Sequence, residues 1–178
     1  MLEVNSLINL DKVINLDFFR RDIFEVCPEL IGKYLVRRMP DGKIVKLIIT
    51  EIEAYCGEED LACHASRGKT ERTEVMYREG GHIYVYLIYG MYYMLNIITG
   101  PKGKPQGILI RGTKEISGPG RLTKFLKIEK SFNKKLLGIE TGLWVEESGL
   151  KLNYMNTERI GIDYAGEWKY KPWRYVAV

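Results

Sequence analysis

The stretch HIYVYLIYGMYYMLNIIT, residues 82–99, decides how the rest of the chain is read. It is rich in β-branched and aromatic residues and is interrupted midway by Gly90, so it predicts two strands joined by a tight hairpin at Tyr89-Gly90. Tyr84, Tyr86, Tyr89, Tyr92 and Tyr93 all fall within it, with Tyr84 and Tyr86 on one face. A tyrosine within a strand is ordinarily a half-buried packing residue. Packing does not account for one at a hairpin tip. An exposed aromatic tip beside a basic surface can wedge between base pairs, and an aromatic face can stack on an unpaired base.

Outward from the hairpin, residues 56–81 hold no long apolar run and are punctuated by Gly57, Gly68, Gly80 and Gly81. They predict one long ordered loop, which in a compact domain is usually functional. Further back, Tyr34–Arg38, a turn at Pro40-Asp41-Gly42 and an extended segment Ile44–Tyr55 predict a second hairpin. Asp17 is expected to cap a short helix with Phe19, Ile23 and Val26 on one face, and Pro28 suggests that one helix stops where a second starts. Residues 1–16 read as a weakly structured lead-in. On the other side, Gln106–Thr113 predicts a strand, and Gly118-Pro119-Gly120 a turn leading into a helix from Arg121 to Ile128. Short strands are expected near 143–147 and 158–163. No repeat, low-complexity tract or linker divides residues 1–178, so a single domain is expected. Antiparallel hairpins with few helices indicate an α+β fold with a curved, mainly antiparallel sheet and a protruding β-hairpin.

The 178 residues are 46% hydrophobic and 28% charged, the balance of a globular protein able to bury a core. Three cysteines are too few for a disulfide scaffold, and the N-terminus lacks a basic region followed by a continuous apolar run. The expectation is an intracellular protein, cytoplasmic or associated with the nucleoid or nucleus, and not secreted. The apolar stretch near 83–98 is too broken to span a bilayer. The net charge is only +4, but residues 101–135 hold ten basic side chains against Glu115 and Glu129, a local excess of eight. Such an excess favours a polyanion, because each Lys or Arg near a phosphate releases counterions.

The chemistry-bearing pattern starts with two carboxylates. Side chains alternate along a strand, so Glu51, Glu53 and Tyr55 share one face at the end of the apolar run IVKLIITEIEAY. Cys56, Cys63, His64 and His82 follow no zinc spacing, so no metal or other cofactor is expected. Walker loops, G-x-G-x-x-G after a strand, the G-x-S-x-G elbow and the zinc-deaminase signature are all missing from the sequence. The residues leave three readings open: a nucleic-acid-directed enzyme, a non-catalytic nucleic-acid-binding module, and a carbohydrate glycosidase with paired carboxylates. For the last, two carboxylates two residues apart on a strand are separated by about 7 Å at Cβ, between the retaining and inverting geometries.

Several segments together resemble the alkyladenine-type 3-methyladenine DNA glycosylases: ELIGKYLVRR (29–38), TEIEAYCGEEDLACHASRGKTERT (50–73), GHIYVYLIYGMYYMLNIIT (81–99), GILIRG (107–112), GPGRL (118–122) and RIGIDYAGEWKYKPWRY (159–175). They occur in the family's order and spacing, and the pair E-A-Y with a later Y-V-Y-x-I-Y-G-M is highly specific. The resemblance implies a DNA repair enzyme that flips alkylated or deaminated purines out of duplex DNA and hydrolyses the N-glycosidic bond, leaving an abasic site without a lyase step. It implies damaged double-stranded DNA as the partner, a monomer, and no membrane.

Carried onto this chain, the resemblance makes Glu53 the general base and Arg111 the arginine that helps hold the attacking water and the nearby backbone. Tyr55 becomes one wall of the base pocket, Tyr86 the stacking residue opposite, and His64 a second pocket contact. Asn96 meets the purine edge and disfavours the amino group of guanine. Tyr89 becomes the wedge that fills the vacated stack. The chain departs from the family where the loop commonly reads T-P-R-N and here reads Thr70-Glu71-Arg72-Thr73. It departs again where the usual Pro-Gly is Gly80-Gly81.

Overall fold

The computed structural model describes residues 8–178 and the short strand Glu3–Val4; part of the expected lead-in lies outside the described residues. The strands are β1 (Glu3–Val4), β2 (Tyr34–Arg38), β3 (Ile44–Cys56), β4 (Ile83–Ile88), β5 (Tyr92–Ile98), β6 (Gln106–Thr113), β7 (Leu143–Glu146), β8 (Tyr154–Thr157) and β9 (Arg174–Ala177), with helices α1 (Ile23–Leu30) and α2 (Pro119–Phe125). All strand pairings are antiparallel, in the order β4-β5-β6-β3-β2-β7, with β1 and β9 added along β3 and β8 added to β9. The result is a curled α+β sheet from which the β4–β5 hairpin protrudes.

The 13-residue β3 organises this sheet. Its first half pairs with β2 and β1, and its second half with β6 and β9. Register shifts on either side of Glu51 bend it at the point where it changes partners. A bulge bends a strand and re-aims its side chains, and bulges recur beside active sites.

Two elements hold the curl from one side. Asp22 caps α1 by accepting from the Phe24 N–H at 3.0 Å, and Ile23, Val26, Cys27 and Leu30 recur at helical spacing and are buried. α1 packs on β3 and β6, and α2 packs on β5 and β6. Phe19, Ile23 and Val26 do share the core, but from two elements: a 3-10 turn over Leu16–Arg20, capped by Asn15 and not by Asp17, and then α1. Pro28 sits inside α1 and does not end it.

Three further expectations are corrected. The helix predicted from Arg121 to Ile128 runs from Pro119 to Phe125, because Pro119, which has no N–H to leave unpaired, opens it. The strand expected at 158–163 is absent; the strand is Tyr154–Thr157, and the following residues turn towards the second half of β3. The long loop at 56–81 contains two 3-10 turns, His64–Arg67 and Glu74–Tyr77.

Away from the hairpin, β2, β3 and β7 enclose a charged pair. Lys46 Nζ lies 2.6 Å from Glu146 Oε2, with Glu146 fully buried and its other oxygen accepting from Trp144 Nε1 at 2.8 Å. Removing one partner of such a pair leaves a buried charge uncompensated. Lys46→Met is therefore expected to lower stability by about 3–5 kcal/mol, measured by urea unfolding. The double variant Lys46→Met with Glu146→Leu is expected to recover most of the loss.

Candidate active site

The site forms where the second half of β3, the β4–β5 hairpin, β6 and the segment after β8 converge. An open cleft of about 740 Å³ runs between them, lined among others by Tyr55, His64, Tyr86, Tyr89, Arg111, Ile160 and Tyr164. A smaller recess continues inward past Tyr55, His64 and Tyr86 to Asn96 and Gly107. The cleft falls in the usual size range of ligand sites.

Strand alternation places Glu51, Glu53 and Tyr55 on one face of β3, where they meet Arg111 from β6. Glu53 has no exposed surface. Its Oε1 accepts from the Ile160 N–H at 2.7 Å, and its Oε2 from the Tyr55 hydroxyl at 2.8 Å, with Arg111 Nη1 3.5 Å away. Burial raises the Glu53 pKa above the ordinary carboxylate value; Arg111, the Ile160 N–H, the Tyr55 hydroxyl and Arg159 oppose the shift without cancelling it. A carboxylate offers about four acceptor sites. Oε1 uses one of its two on Ile160, which itself lines the cleft, whereas Glu53 lies behind that lining.

The two walls are tyrosines. Tyr55 presents its ring to the cleft while its hydroxyl holds Glu53, and burial and the neighbouring carboxylate push that hydroxyl well above its ordinary pKa. Tyr86, on β4, is met edge-on by His64 at 4.6 Å between ring centroids. His64 Nδ1 lies 2.9 Å from the buried Tyr84 hydroxyl. Asn96 is buried on β5, where its Nδ2 donates to the Tyr84 carbonyl at 3.2 Å, and it lines the inner recess only.

Tyr89 stands apart from the packing. It occupies the hairpin tip, 84% exposed, at φ 52° next to Gly90 at φ 67°, with the Met91 N–H closing the turn onto the Ile88 carbonyl at 3.1 Å. The left-handed region suits Gly90 and strains a bulky residue by about 1–3 kcal/mol. A strained, exposed aromatic ring is not explained by stability. Leu87, Met91 and Tyr92 are exposed beside it.

Four participants escaped the sequence reading. Arg159 is buried beneath Tyr55, its guanidinium 4.8 Å from that ring centroid, and it pairs with buried Asp60 at 2.6 and 2.9 Å. Asp60 also accepts from the Cys56 and Ala62 N–H groups, so this pair pins the loop after β3 to the segment that delivers Ile160 to Glu53. Arg72 places its guanidinium 5.4 Å from the Tyr86 centroid, and Tyr164, 69% exposed, closes one side of the cleft. Arg159 lies 99 residues from Asp60, and no local spacing signals that contact. The available hint was that all four lie within the segments 50–73 and 159–175 that carry the family resemblance.

Among the described residues, no group of three or more His, Cys, Asp or Glu side chains could hold a metal ion, and no helix is long and apolar enough to cross a membrane. Burial, reinforced by Arg72 and Arg67, lowers the His64 pKa to about 4. The imidazole is thus neutral in the folded protein at neutral and mildly acidic pH. An NMR titration of the two histidines is expected to show His64 protonating near pH 4 and not near its ordinary value of about 6.5.

The chain matches a model of the family described as methylpurine-DNA glycosylase over residues 17–117 and 112–178. Proteins named "Putative 3-methyladenine DNA glycosylase" are similar along most of their length. The one from Rickettsia peacockii is 47% identical over 97% of this chain and 92% of its own. Those from Methanocella arvoryzae and Psychrobacter cryohalolentis are 40% identical (92% of this chain, 91% of its own) and 38% identical (94% and 92%). A buried carboxylate under a tyrosine-walled cleft, a strained aromatic hairpin tip and these matches together make the chain a member of the methylpurine-DNA glycosylase family.

Proposed function

We propose that this protein is a DNA glycosylase that rotates alkylated or deaminated purines out of duplex DNA and hydrolyses their N-glycosidic bond. The observation that carries the reading is Glu53: a carboxylate buried behind the cleft lining, hydrogen-bonded to the wall tyrosine Tyr55 and to the N–H of Ile160, which also lines the cleft. A base inside a duplex is unreachable, and extruding it costs a few kcal/mol, less where damage has weakened pairing. Tyr89 enters the vacated stack, and the extruded purine lies between Tyr55 and Tyr86, with His64 and Asn96 on its edges. The basic stretch 101–135 meets the flanking phosphates.

As the bond from the sugar to the purine nitrogen lengthens, positive charge develops on the sugar. Glu53 stabilises it and accepts a proton from a water whose oxygen bonds to the anomeric carbon. The purine departs with the bonding electrons, and an abasic site remains. Arg111 keeps Glu53 ionised and orients the water. Cation–π attraction of about 0.5–2 kcal/mol would favour a positively charged alkylpurine, but Arg72 and Arg159 already lie against the two wall rings and offset part of it. For alkylated purines discrimination therefore rests mainly on the leaving group, because a cationic purine departs readily and a normal one does not. Among the described residues no lysine lines the cleft, which disfavours a Schiff base and with it a lyase step.

The carbohydrate-hydrolase alternative weakens on this geometry. Glu51 Oε1 accepts from both Arg111 Nε at 2.9 Å and Arg174 Nε at 2.8 Å, so this carboxylate is committed to two guanidinium groups and is not free to attend a leaving group.

Glu53→Gln is expected to lower single-turnover release of purine from a lesion-bearing duplex by about a hundredfold or more, with binding retained; near-normal excision would remove Glu53 as the base. In the native protein the rate should fall as the pH drops through a Glu53 pKa above the ordinary carboxylate value, since only the ionised form accepts the proton. Tyr89→Ser is expected to reduce the fluorescence change of a flipped probe base, and an unchanged signal would assign the tip another role. Borohydride should trap no protein–DNA adduct. DNA binding with no base released at any excess of protein would favour the non-catalytic reading.

A further inference from the structure

Glu51 shares a face of β3 with Glu53 but takes no part in the chemistry proposed above, on which this inference rests. It sits at the register shift of β3, with Gly112 of β6 on one side and Val176 of β9 on the other. One of its oxygens, Oε1, receives two charge-assisted bonds, from Arg111 Nε at 2.9 Å and from Arg174 Nε at 2.8 Å. Arg174 is anchored in turn, its Nη1 donating to Thr157 Oγ1 of β8 at 3.1 Å. All three charged side chains are largely shielded from solvent, at 15% for Glu51 and Arg111 and 22% for Arg174.

This shielding decides what the cluster can do. A fully exposed ion pair holds two long side chains weakly, whereas a guanidinium bound in low dielectric keeps its plane. Glu51 takes only the Nε edge of Arg111. That leaves the terminal nitrogens free and turns Nη1 towards Glu53 Oε2, 3.5 Å away. Without Glu51, the only other described contact of the Arg111 guanidinium is the 3.5 Å ion pair with Glu53 itself, which is longer than a hydrogen bond and fixes its plane less well. Arg174 balances the charge of Glu51, so one carboxylate can sit between two cations beside the second carboxylate of the site.

We propose that Glu51 and Arg174 are positioning residues: through a single shared carboxylate oxygen they aim the Arg111 guanidinium at Glu53, and β9 thereby completes the site. They touch neither purine nor water and act only through Arg111.

The test is single-turnover excision on a duplex carrying one lesion, with the maximal rate and the half-saturating protein concentration measured separately. Glu51→Ala is expected to lower the maximal rate about tenfold or more, with half-saturation within about twofold. Glu51→Gln, which keeps an oxygen acceptor in place, is expected to restore most of that loss. In an Arg111→Gln background neither substitution should reduce the rate further, because the only route of action has been removed. Arg174→Met is expected to show a smaller loss that also disappears in that background, and it serves as the probe if Glu51→Ala folds poorly by its melting temperature. A Glu51→Ala rate within about threefold of wild type, or losses that multiply with Arg111→Gln, would overturn the inference. A wild-type chain that releases no purine would remove the functional reading and this inference with it, whereas an active wild type beside an unaffected Glu51→Ala removes this inference alone.

Discussion

A carboxylate taken fully out of water is expensive unless donors replace the water it loses. Glu53 has no exposed surface, and three different parts of the chain meet at it: its own strand, through the Tyr55 hydroxyl; β6, through Arg111; and the segment after β8, through the Ile160 N–H, with Arg159 of that segment tied to Asp60 behind them. Much of the surrounding architecture follows from satisfying that one anion. The donors offset the cost of burial without cancelling it, since burial still holds the Glu53 pKa above the ordinary carboxylate value. The role proposed for Glu53 as a base calls for this intermediate condition. Too many donors would make the carboxylate inert, and too few would keep it protonated.

The fold is arranged around the same point. β3 is long enough to leave one set of partners and join another, and its bend falls at Glu51, two residues before Glu53. The half that pairs with β2 and β1 belongs to the packed core, and the half that pairs with β6 and β9 carries the charged face. The β4–β5 hairpin projects from the neighbouring edge. It brings Tyr86 into the cleft and leaves Tyr89 at a strained tip that packing does not require. Rigid strands under the cleft and an aromatic tip beyond it agree with the proposed extrusion of one nucleotide.

The hairpins were legible before any coordinates, because their signals are local. Pro40-Asp41-Gly42 and Tyr89-Gly90 mark turns between runs of alternating or β-branched residues, and β2, β3, β5 and β6 follow from those runs. Boundaries failed where another residue or contact took over the role that the local signal had assigned. Pro119 opens α2 two residues before the expected start, and Asn15 and Asp22 do the capping expected of Asp17. The displaced C-terminal strand has a similar cause. The R-I-G-I segment looks extended, but it is held by Asp60 and Glu53 and joins no ladder.

Glu51, Glu53 and Tyr55 had to share a face once they lay on a strand, because side-chain direction there has a period of two residues. The E-A-Y and Y-V-Y patterns likewise named the cleft tyrosines and the tip before their positions were known. Folding alone brought Arg159 under Tyr55 from 99 residues beyond Asp60, set the Ile160 N–H against Glu53, and tied Arg174 to Arg111 through Glu51. Those contacts bridge segments far apart in the chain, and nothing in their local spacing records which donor will reach a given anion. Periodicity can therefore assign a residue to a face, but how fully a buried charge is satisfied depends on every element that closes over it.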